Sequence, residues 1–198
     1  MSTSMWVFPL AMLAVMALVM AAGMVVLHRK ASELSGGAPR GLQGALALLV
    51  NRIVMRLLRA GVPIRIFGNP VVLLTVPGRK TGQPRTTVVD LYEQGGRRFL
   101  VSTHGGDSAL WVHNLRAAGK GTLARGGSRE QFSAVELSAD VAGEVLKEVL
   151  GPRLASPLGG LALRQTVEIA PGASLPDFIK AARSHPVFEL RREGNSHG

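Results

Sequence analysis

The 198-residue chain contains no cysteine, and this absence removes several kinds of chemistry at once. Without a thiol there is no disulfide, no thiolate metal site, no iron–sulfur ligation and no cysteine nucleophile. Aromatic residues are also scarce, at 5% of the chain, which argues against a surface that binds nucleic acid by base stacking. The histidines show no metal-ligand spacing such as H-E-x-x-H, so we predict no metal site.

Acidic residues are outnumbered, with 13 Asp and Glu against 23 Lys and Arg, so that the net charge is +10. Such a balance suits an anionic membrane surface, nucleic acid or a polyanionic ligand. Because the low aromatic content disfavours nucleic acid, we expect no nucleic-acid partner. The length allows at most one domain plus extensions, and residues 63–198 suffice for an independent core.

Charge is absent from residues 6–27, an apolar run near the start of the chain. As a helix this run would span roughly 33 Å, against a bilayer hydrocarbon core of about 30 Å. A cleaved signal peptide is the alternative, but no Lys or Arg precedes the run, which is also long for an h-region. We therefore predict a transmembrane anchor with its basic flank in residues 1–30. The basic residues after the run predict a single-pass membrane protein with its C-terminal domain in the cytoplasm.

Residues 31–62 are predicted to form a linker followed by a basic amphipathic helix over 42–60. The linker is small, polar and rich in Gly and Pro. Arg52, Arg56 and Arg59 fall on one face of the helix, opposite an apolar face. Such a helix could lie on anionic lipid, or it could cover the C-terminal domain with a solvated arginine face. The sequence leaves both interpretations open.

Residues 63–198 are predicted to form an α+β domain whose strands close into a small β-barrel covered by helices. Alternating and β-branched patterns predict strands at 62–67, 71–76, 86–92, 97–103, 122–124, 130–138 and 187–191. Apolar periodicity predicts helices at 109–118, 139–150 and 175–183. The string Gly119, Gly121, Ala124 matches a dinucleotide fingerprint, but it follows a helix instead of a strand, so we reject that interpretation.

Two glycine-containing loops are candidates for a phosphorylated-cofactor pocket. The first, 78–85, reads GRKTGQPR, and the second, 102–106, reads STHGG. Cationic side chains and close backbone approach suit a phosphate or carboxylate. By composition alone, a solvated hairpin turn is the favoured interpretation of 78–85, and a tight turn is an equal alternative for 102–106. It is not a P-loop, because Arg79 and not Gly precedes Lys80.

These two loops, together with LWVHNLRA at 110–117, resemble the deazaflavin (coenzyme F-420)-dependent nitroreductase family. The similarity is dense over about 71–118 and continues weakly to HPVFEL at 185–190. Members of that family are split β-barrels of the flavin-reductase superfamily. The resemblance therefore implies an FMN-binding-like split barrel and a deazaflavin-dependent reductase, with a homodimer left open.

The resemblance also implies which residues contact coenzyme F-420, whose oligoglutamate tail the positive charge would suit. Ser102 and His104 are the candidates for a proton donor near the coenzyme ring. The family often has Lys or Asn at the position of His104, so a phosphate contact there would depend on pH. The implied coenzyme contacts are Arg79, Lys80, Thr81, Gly82, Pro84, Arg85, Thr86, Ser102, Thr103, His104, Gly105, Gly106, Trp111 and Asn114.

The anchor points to a small lipophilic hydride acceptor such as a quinone, an enone or a nitro compound. In nitroreductase relatives, tyrosines of the C-terminal half shape the acceptor site, whereas the last tyrosine here is Tyr92. Nitro reduction is therefore the least favoured of these reactions. Two alternatives remain: a protein of the same superfamily that binds FMN or another flavin-like ligand, and a non-enzymatic membrane-tethered module that binds an anionic ligand.

Overall fold

A computed structural model of the chain describes residues 42–156, 160, 163–164 and 166–193. The predicted anchor and linker, up to residue 40, lie outside these residues and stay predictions. Within the described residues, none of the helices combines the length and apolar character needed to span a bilayer. The chain divides into two compact units after Val54, and the barrel lies in the unit Met55–Gly198.

Helix α1 (Leu42–Arg59) confirms the helix predicted over 42–60. It ends at Gly61, whose φ of 81° is accessible to glycine at little cost. The amides of Gly61 and Val62 donate to the carbonyls of Leu58 (3.1 Å) and Leu57 (3.0 Å), which satisfies the last turn. The predicted arginine face is exposed, and its contact with lipid stays a prediction.

Strands of the described residues form one antiparallel sheet that closes on itself. Its spatial order is β1-β2-β3-β4-β7-β6-β5, and β5 pairs back onto β2 through Leu73↔Ala124 to Thr75↔Thr122. Six strands, β2 to β7, therefore make a barrel, and β1 extends one edge of β2. The strands are β1 (Ile64–Ile66), β2 (Asn69–Pro77), β3 (Pro84–Gln94), β4 (Arg97–Val101), β5 (Lys120–Arg125), β6 (Ser128–Glu136) and β7 (Val187–Arg192).

The barrel interior follows from the two-residue period of the strands. On β2, Val72, Leu74 and Val76 point inward and are almost fully buried. Helix α2 (Leu110–Ala118) contributes Val112 and Leu115 to the same interior core. Burying each of these side chains contributes on the order of 1.5–3 kcal/mol, so the interior core stabilises the closed barrel. Its remaining fully buried members are Leu91, Leu100, Leu123, Phe132, Phe188 and Leu190.

A second core lies outside the barrel wall, under α3 (Ala139–Leu154) and α4 (Leu175–Ala182). These helices approach closely because Gly143 has no side chain. A Cβ there would lie 2.5 Å from the Ile179 side chain and 2.8 Å from its backbone. The α+β barrel with covering helices is thus confirmed, although β4 stops at Val101 instead of 103. Beyond that residue, the Ser102 amide turns to donate to the Pro186 carbonyl (3.1 Å).

The outer wall carries a polar group beneath α3. The Arg153 guanidinium lies 4.8 Å from the Tyr92 ring centroid and donates to the Tyr92 hydroxyl at 3.3 Å. Burial raises the pKa of nearby Asp90 to about 6, although the Arg153 charge opposes that rise. The same burial, with the Asp90 charge, raises the pKa of Tyr92. The ionised Asp90 carboxylate is therefore an unfavourable element of this wall.

Replacing Asp90 by Asn should stabilise the protein at neutral pH. The pKa of Asp90 is 3.8 in the unfolded reference and about 6 in the fold, so ionisation removes stability as pH rises across that window. Asp90→Asn removes this penalty, which is at most about 3 kcal/mol at 1.36 kcal/mol per pKa unit. Urea unfolding at pH 7.5 and at pH 4 measures the gain, which should be far smaller at pH 4. Exposed Glu144→Gln is the control, and an equal effect of Asp90→Asn at both pH values would disprove this account.

Candidate functional site

The loop between β2 and β3, residues 78–85, is a tight turn that we call the cationic turn. The Gly78 amide donates to the Gln83 carbonyl (2.9 Å), and the Gly82 amide donates to the Gly78 carbonyl (2.7 Å). Gly82 has a φ of 66°, and the Thr81 hydroxyl accepts a hydrogen bond from the Gln83 amide (3.3 Å). The turn therefore satisfies most of its polar groups internally and holds one shape without a ligand.

The side chains of the cationic turn remain available to a ligand. Lys80 and Arg85 are exposed, and neither forms an ion pair with any residue that the structure describes. Pro84 and Thr86 are also exposed, and the Thr86 hydroxyl shares a hydrogen bond with the Thr75 hydroxyl at 2.9 Å. Two unpaired cations on a preformed turn are a suitable arrangement for phosphate or carboxylate groups.

Arg79 and Asn114 join the cationic turn to helix α2. The Asn114 side-chain oxygen accepts from the Arg79 amide (3.1 Å) and from its guanidinium (3.5 Å). Asn114 is only 7% exposed whereas Arg79 is exposed, so this contact is partly buried. Both residues were predicted to contact the coenzyme; in the structure they contact each other. Their nearest role is to position the turn, and direct coenzyme contact stays a prediction.

Residues 102–106, the glycine loop, follow β4 and are held from both sides. The Ser102 hydroxyl donates to the Gly106 carbonyl (2.7 Å), and the amide of Asp107 donates to the Ser184 carbonyl (2.9 Å). Gly106 has a φ of 50°, and a Cβ there would lie 2.5 Å from the Ser184 carbonyl oxygen. Glycine is therefore required at 106 by close approach to the neighbouring chain segment as well as by backbone conformation.

His185 is a buried residue next to this loop that the sequence did not indicate. Its Nδ1–H donates to the Ser102 carbonyl at 2.8 Å, and the residue is 9% exposed. Ser102 itself is 1% exposed, and its hydroxyl proton is engaged by Gly106. Only the position of His185, next to Pro186 at the start of the closing strand, could have pointed to it.

His104 is the glycine-loop side chain with a face toward solvent. Its Nδ1 lies 3.0 Å from the Thr103 hydroxyl, so Nε2 is the ring atom left for a ligand. The residue is exposed overall, but loss of hydration around its ring, followed by the charge of His185, lowers the pKa of His104. At neutral pH the imidazole is therefore mainly uncharged.

Trp111 belongs to the barrel core more than to an open surface. Its ring lies 5.9 Å from that of Phe188, at an interplanar angle of 57°, and the residue is half-buried. Trp111 and Asn114 are three residues apart on α2. The helix therefore packs Trp111 against the barrel core and, close by, holds the cationic turn through Asn114. Helix α2 follows the glycine loop directly, so it connects that loop to the cationic turn.

A cavity of about 320 Å³ lies beside the cationic turn, on the side of β5 and β6. Gly82 and Pro84 are the predicted site residues that line it. Gly121 is required there by packing, because a Cβ would lie 2.9 Å from the Thr75 carbonyl oxygen and from the buried Phe132 ring. None of its lining residues belongs to the glycine loop or to α2. The complete lining is Thr75, Val76, Pro77, Gly82, Pro84, Lys120, Gly121, Thr122, Gln131 and Glu193.

The predicted site residues therefore form two groups connected by α2. One group is the cationic turn with Asn114 and the adjacent cavity; the other is the glycine loop with His185. Strands β3 and β4 are paired antiparallel, so the start of β3 and the end of β4 lead toward the same end of the barrel. The β5 and β6 residues of the cavity were missed, although Gly121 had attracted attention for a different motif.

Comparison with known proteins gives a consistent family. Residues 50–151 match the model of the F420H(2)-dependent quinone reductase family. Two F420H(2)-dependent quinone reductases of Mycobacterium tuberculosis, from strains CDC 1551 / Oshkosh and ATCC 25618 / H37Rv, are each 44% identical to the chain over 50 residues. That segment covers 24% of this chain, and the chain spans about a third (34%) of the length of these relatives.

Solved structures with some likeness include an F420-H2 dependent reductase and an FMN-binding protein from Nostoc punctiforme PCC 73102. The first is 20% identical, covers 65% of this chain and 99% of its own, and has a TM-score of 0.35. The second, described as related to pyridoxamine 5'-phosphate oxidase, is 15% identical, covers 79% and 82%, and has a TM-score of 0.38. These TM-scores are too low to support a conclusion about fold or ligand.

Gly106→Ala should destabilise the glycine loop more than an equivalent change elsewhere. It places a Cβ against the Ser184 carbonyl oxygen and adds the cost of a positive φ. Gly172→Ala is the matched control, since Gly172 also has a positive φ (76°) but has open space around it. We expect a further loss of about 1–3 kcal/mol in the free energy of unfolding for Gly106→Ala, measured in urea. Equal losses for the two variants would show that the contact with Ser184 is unimportant.

Proposed function

The chain belongs to the F420H(2)-dependent quinone reductase family, and from this premise we propose that it is a membrane-anchored, deazaflavin-dependent oxidoreductase. In this proposal it transfers a hydride from reduced coenzyme F-420 to a lipophilic acceptor, of which a quinone is the first choice. The observation that carries the proposal is the pair of unpaired cations, Lys80 and Arg85, on a preformed turn that borders a cavity.

The cations of the cationic turn and Lys120 suit the acidic groups of a tricyclic coenzyme, whereas Glu193, which also lines the cavity, opposes them. The cavity volume, about 320 Å³, is within the range of small-molecule pockets, roughly 300–1,000 Å³. Lys80 and Arg85 would hold the phosphate and acidic tail by charge-assisted hydrogen bonds. Gly82, which has open space around it, would let the ligand approach the backbone without meeting a side chain. Arg79 and Asn114 would keep the turn in place while the coenzyme binds.

When bound, the reduced coenzyme supplies the hydride, and the protein's part is to bind, orient and exclude water. The cationic turn is fixed before binding, so less ordering entropy is lost on association. Neutral His104 can offer a hydrogen bond through Nε2, and its lowered pKa moves uptake of a second ring proton further below neutral pH. The Ser102 hydroxyl, engaged by Gly106, is less suited to donate a proton than His104 is.

The membrane anchor is proposed from the apolar run at 6–27, which would hold the barrel beside the bilayer where lipophilic acceptors dissolve. The proposed location is the cell membrane, with the C-terminal domain in the cytoplasm. A quinone or another unsaturated acceptor would then reach the protein from the lipid phase. The acceptor is inferred in part from the anchor, but the two are tested by separate experiments.

Coenzyme titration of the full chain tests the enzymatic proposal. We expect tight binding of coenzyme F-420 that weakens with salt, and reoxidation of the reduced coenzyme when a soluble quinone is added. Lys80→Ala and Arg85→Ala should each lower the affinity about tenfold, since a lost charge-assisted contact costs on the order of 1.4 kcal/mol. Arg129→Ala removes an exposed arginine at the start of β6 and serves as the control.

The alternatives give different results in the same titration. Tight binding of FMN without binding of coenzyme F-420 would favour a flavin-binding protein of the same barrel type. Binding of neither would favour the non-enzymatic module. Binding of coenzyme F-420 with no loss in the Lys80 and Arg85 variants would move the site away from the cationic turn.

The orientation of the anchor gives a separate prediction. The basic residues that follow the apolar run favour the cytoplasm for everything after them. A reporter fused to the C-terminus of the full chain should therefore be active only in its cytoplasmic form. A signal from the opposite side of the membrane would reverse the topology, and release of the whole chain into the soluble fraction would remove the anchor.

A further inference from the structure

The hairpin that joins β1 to β2 has an unusual residue at its tip. Ile66 pairs with Asn69, so Phe67 and Gly68 form a two-residue turn. Both have positive φ, 48° for Phe67 and 85° for Gly68. Such turns favour Asn, Asp or Gly at the first position, because a side chain with a bulky Cβ substituent is disfavoured at positive φ. Phe67 therefore occupies a backbone conformation that suits it poorly.

Phe67 also gains little from packing within the protein. Its side chain remains 46% exposed, so much of the aromatic ring faces water. Both the unfavourable backbone conformation and the exposed ring of Phe67 reduce the stability of the folded state. An Asn at this position would remove both. Strained residues that remain at exposed positions are commonly part of a binding surface, which makes the hairpin tip a candidate contact for something outside the barrel.

The charge next to Phe67 is positive. Arg65, two residues earlier, is exposed, and its guanidinium donates to the Gly68 carbonyl at 2.8 Å. Among the residues that the structure describes, no carboxylate pairs with Arg65. Glu93, on the strand that leads into the β3–β4 turn, is already paired with Arg125 at 3.0 Å. The tip thus presents an aromatic ring beside a cation without an acidic partner.

The tip lies at the opposite end of the barrel from the cationic turn. The ladder between β2 and β3 runs from Pro77↔Pro84, at the cationic turn, to Val71↔Asp90, toward the β1–β2 hairpin. The unpaired cations Lys80 and Arg85 are therefore separate from Arg65. A ligand of the proposed coenzyme site does not account for the hairpin tip.

We propose that the tip of the β1–β2 hairpin inserts into the headgroup region of an anionic membrane. Phe67 would enter the boundary between headgroups and acyl chains, where aromatic rings are favoured, and Arg65 would contact lipid phosphates. One ring and one cation are too small for a stable protein interface, which needs about 1,000 Å² of buried area. A barrel kept near the bilayer by an apolar run needs only this kind of small additional contact. The net charge of +10 suits an anionic surface.

Site-specific labelling tests the contact directly, and the absence of cysteine makes it simple. The full chain with Phe67→Cys is labelled with a polarity-sensitive fluorophore and reconstituted with vesicles of phosphatidylcholine, with or without phosphatidylglycerol. We expect blue-shifted emission and protection from iodide only with the anionic lipid. The label at Val141→Cys, on α3 and 41% exposed in the native residue, should stay accessible in both.

Two results would overturn the proposal. The label at 67 could remain in water with anionic vesicles, which would leave the tip without a lipid contact. It could also become protected without lipid as the protein concentration rises, which would indicate self-association through edge strand β1. Neither outcome depends on coenzyme binding, so the proposed enzymatic function is judged separately.

Phe67→Asn supplies a second test that does not rely on a label. Asn suits the positive φ, so in neutral vesicles the variant should unfold at the same temperature as the unmodified chain or at a higher one. Anionic vesicles, relative to neutral ones, should raise the unfolding temperature of the unmodified chain and of Val141→Asn by a few degrees, but not that of Phe67→Asn. A lower unfolding temperature of Phe67→Asn in neutral vesicles would show that Phe67 has a structural role, and the proposal would fail.

Discussion

The pairing of β2 with β5 is the constraint on which the rest of the structure depends. Strand β2 bonds to β3 along one edge and to both β1 and β5 along the other, and the contact with β5 closes the six-stranded barrel. Closure encloses the interior core and fixes the positions of all the connecting loops. It also requires Gly121 on β5, because any side chain there would press against Thr75 and Phe132. Gly121 also lines the cavity beside the cationic turn.

Helix α2 links the rigid barrel to the loops of the candidate site. Val112 and Leu115 fix the helix in the interior core, and Asn114, on the same helix, holds Arg79 of the cationic turn. The glycine loop leads directly into the helix and is fixed by Ser184 and His185 before β7. The predicted coenzyme-binding groups on separate loops are thus supported by buried contacts of one helix, which is how a binding site keeps its geometry without its ligand.

Much of this was readable from the sequence, because strand and helix periods report local burial. The strands, the α+β barrel, the helices and the family resemblance through GRKTGQPR, STHGG and LWVHNLRA were predicted, and the family match confirms the resemblance. What could not be read were contacts between distant segments. The bond from His185 to Ser102, 83 residues apart, and the clash that requires Gly121 depend on how the sheet closes, which no local pattern encodes.

The sheet also separates the two proposed anionic contacts, one with a coenzyme and one with a lipid surface. Because β2 and β3 run the length of the barrel, the turn that carries Lys80 and Arg85 and the hairpin that carries Arg65 and Phe67 lie at opposite ends. Each end combines its cations with a different second element: glycine backbone and a cavity at one, an exposed aromatic ring at the other. A cavity suits a soluble anion that fits inside it. A protruding aromatic ring suits a membrane surface into which it can insert. Three of the cations behind the net charge of +10, Lys80, Arg85 and Arg65, thus belong to two local arrangements that the barrel separates.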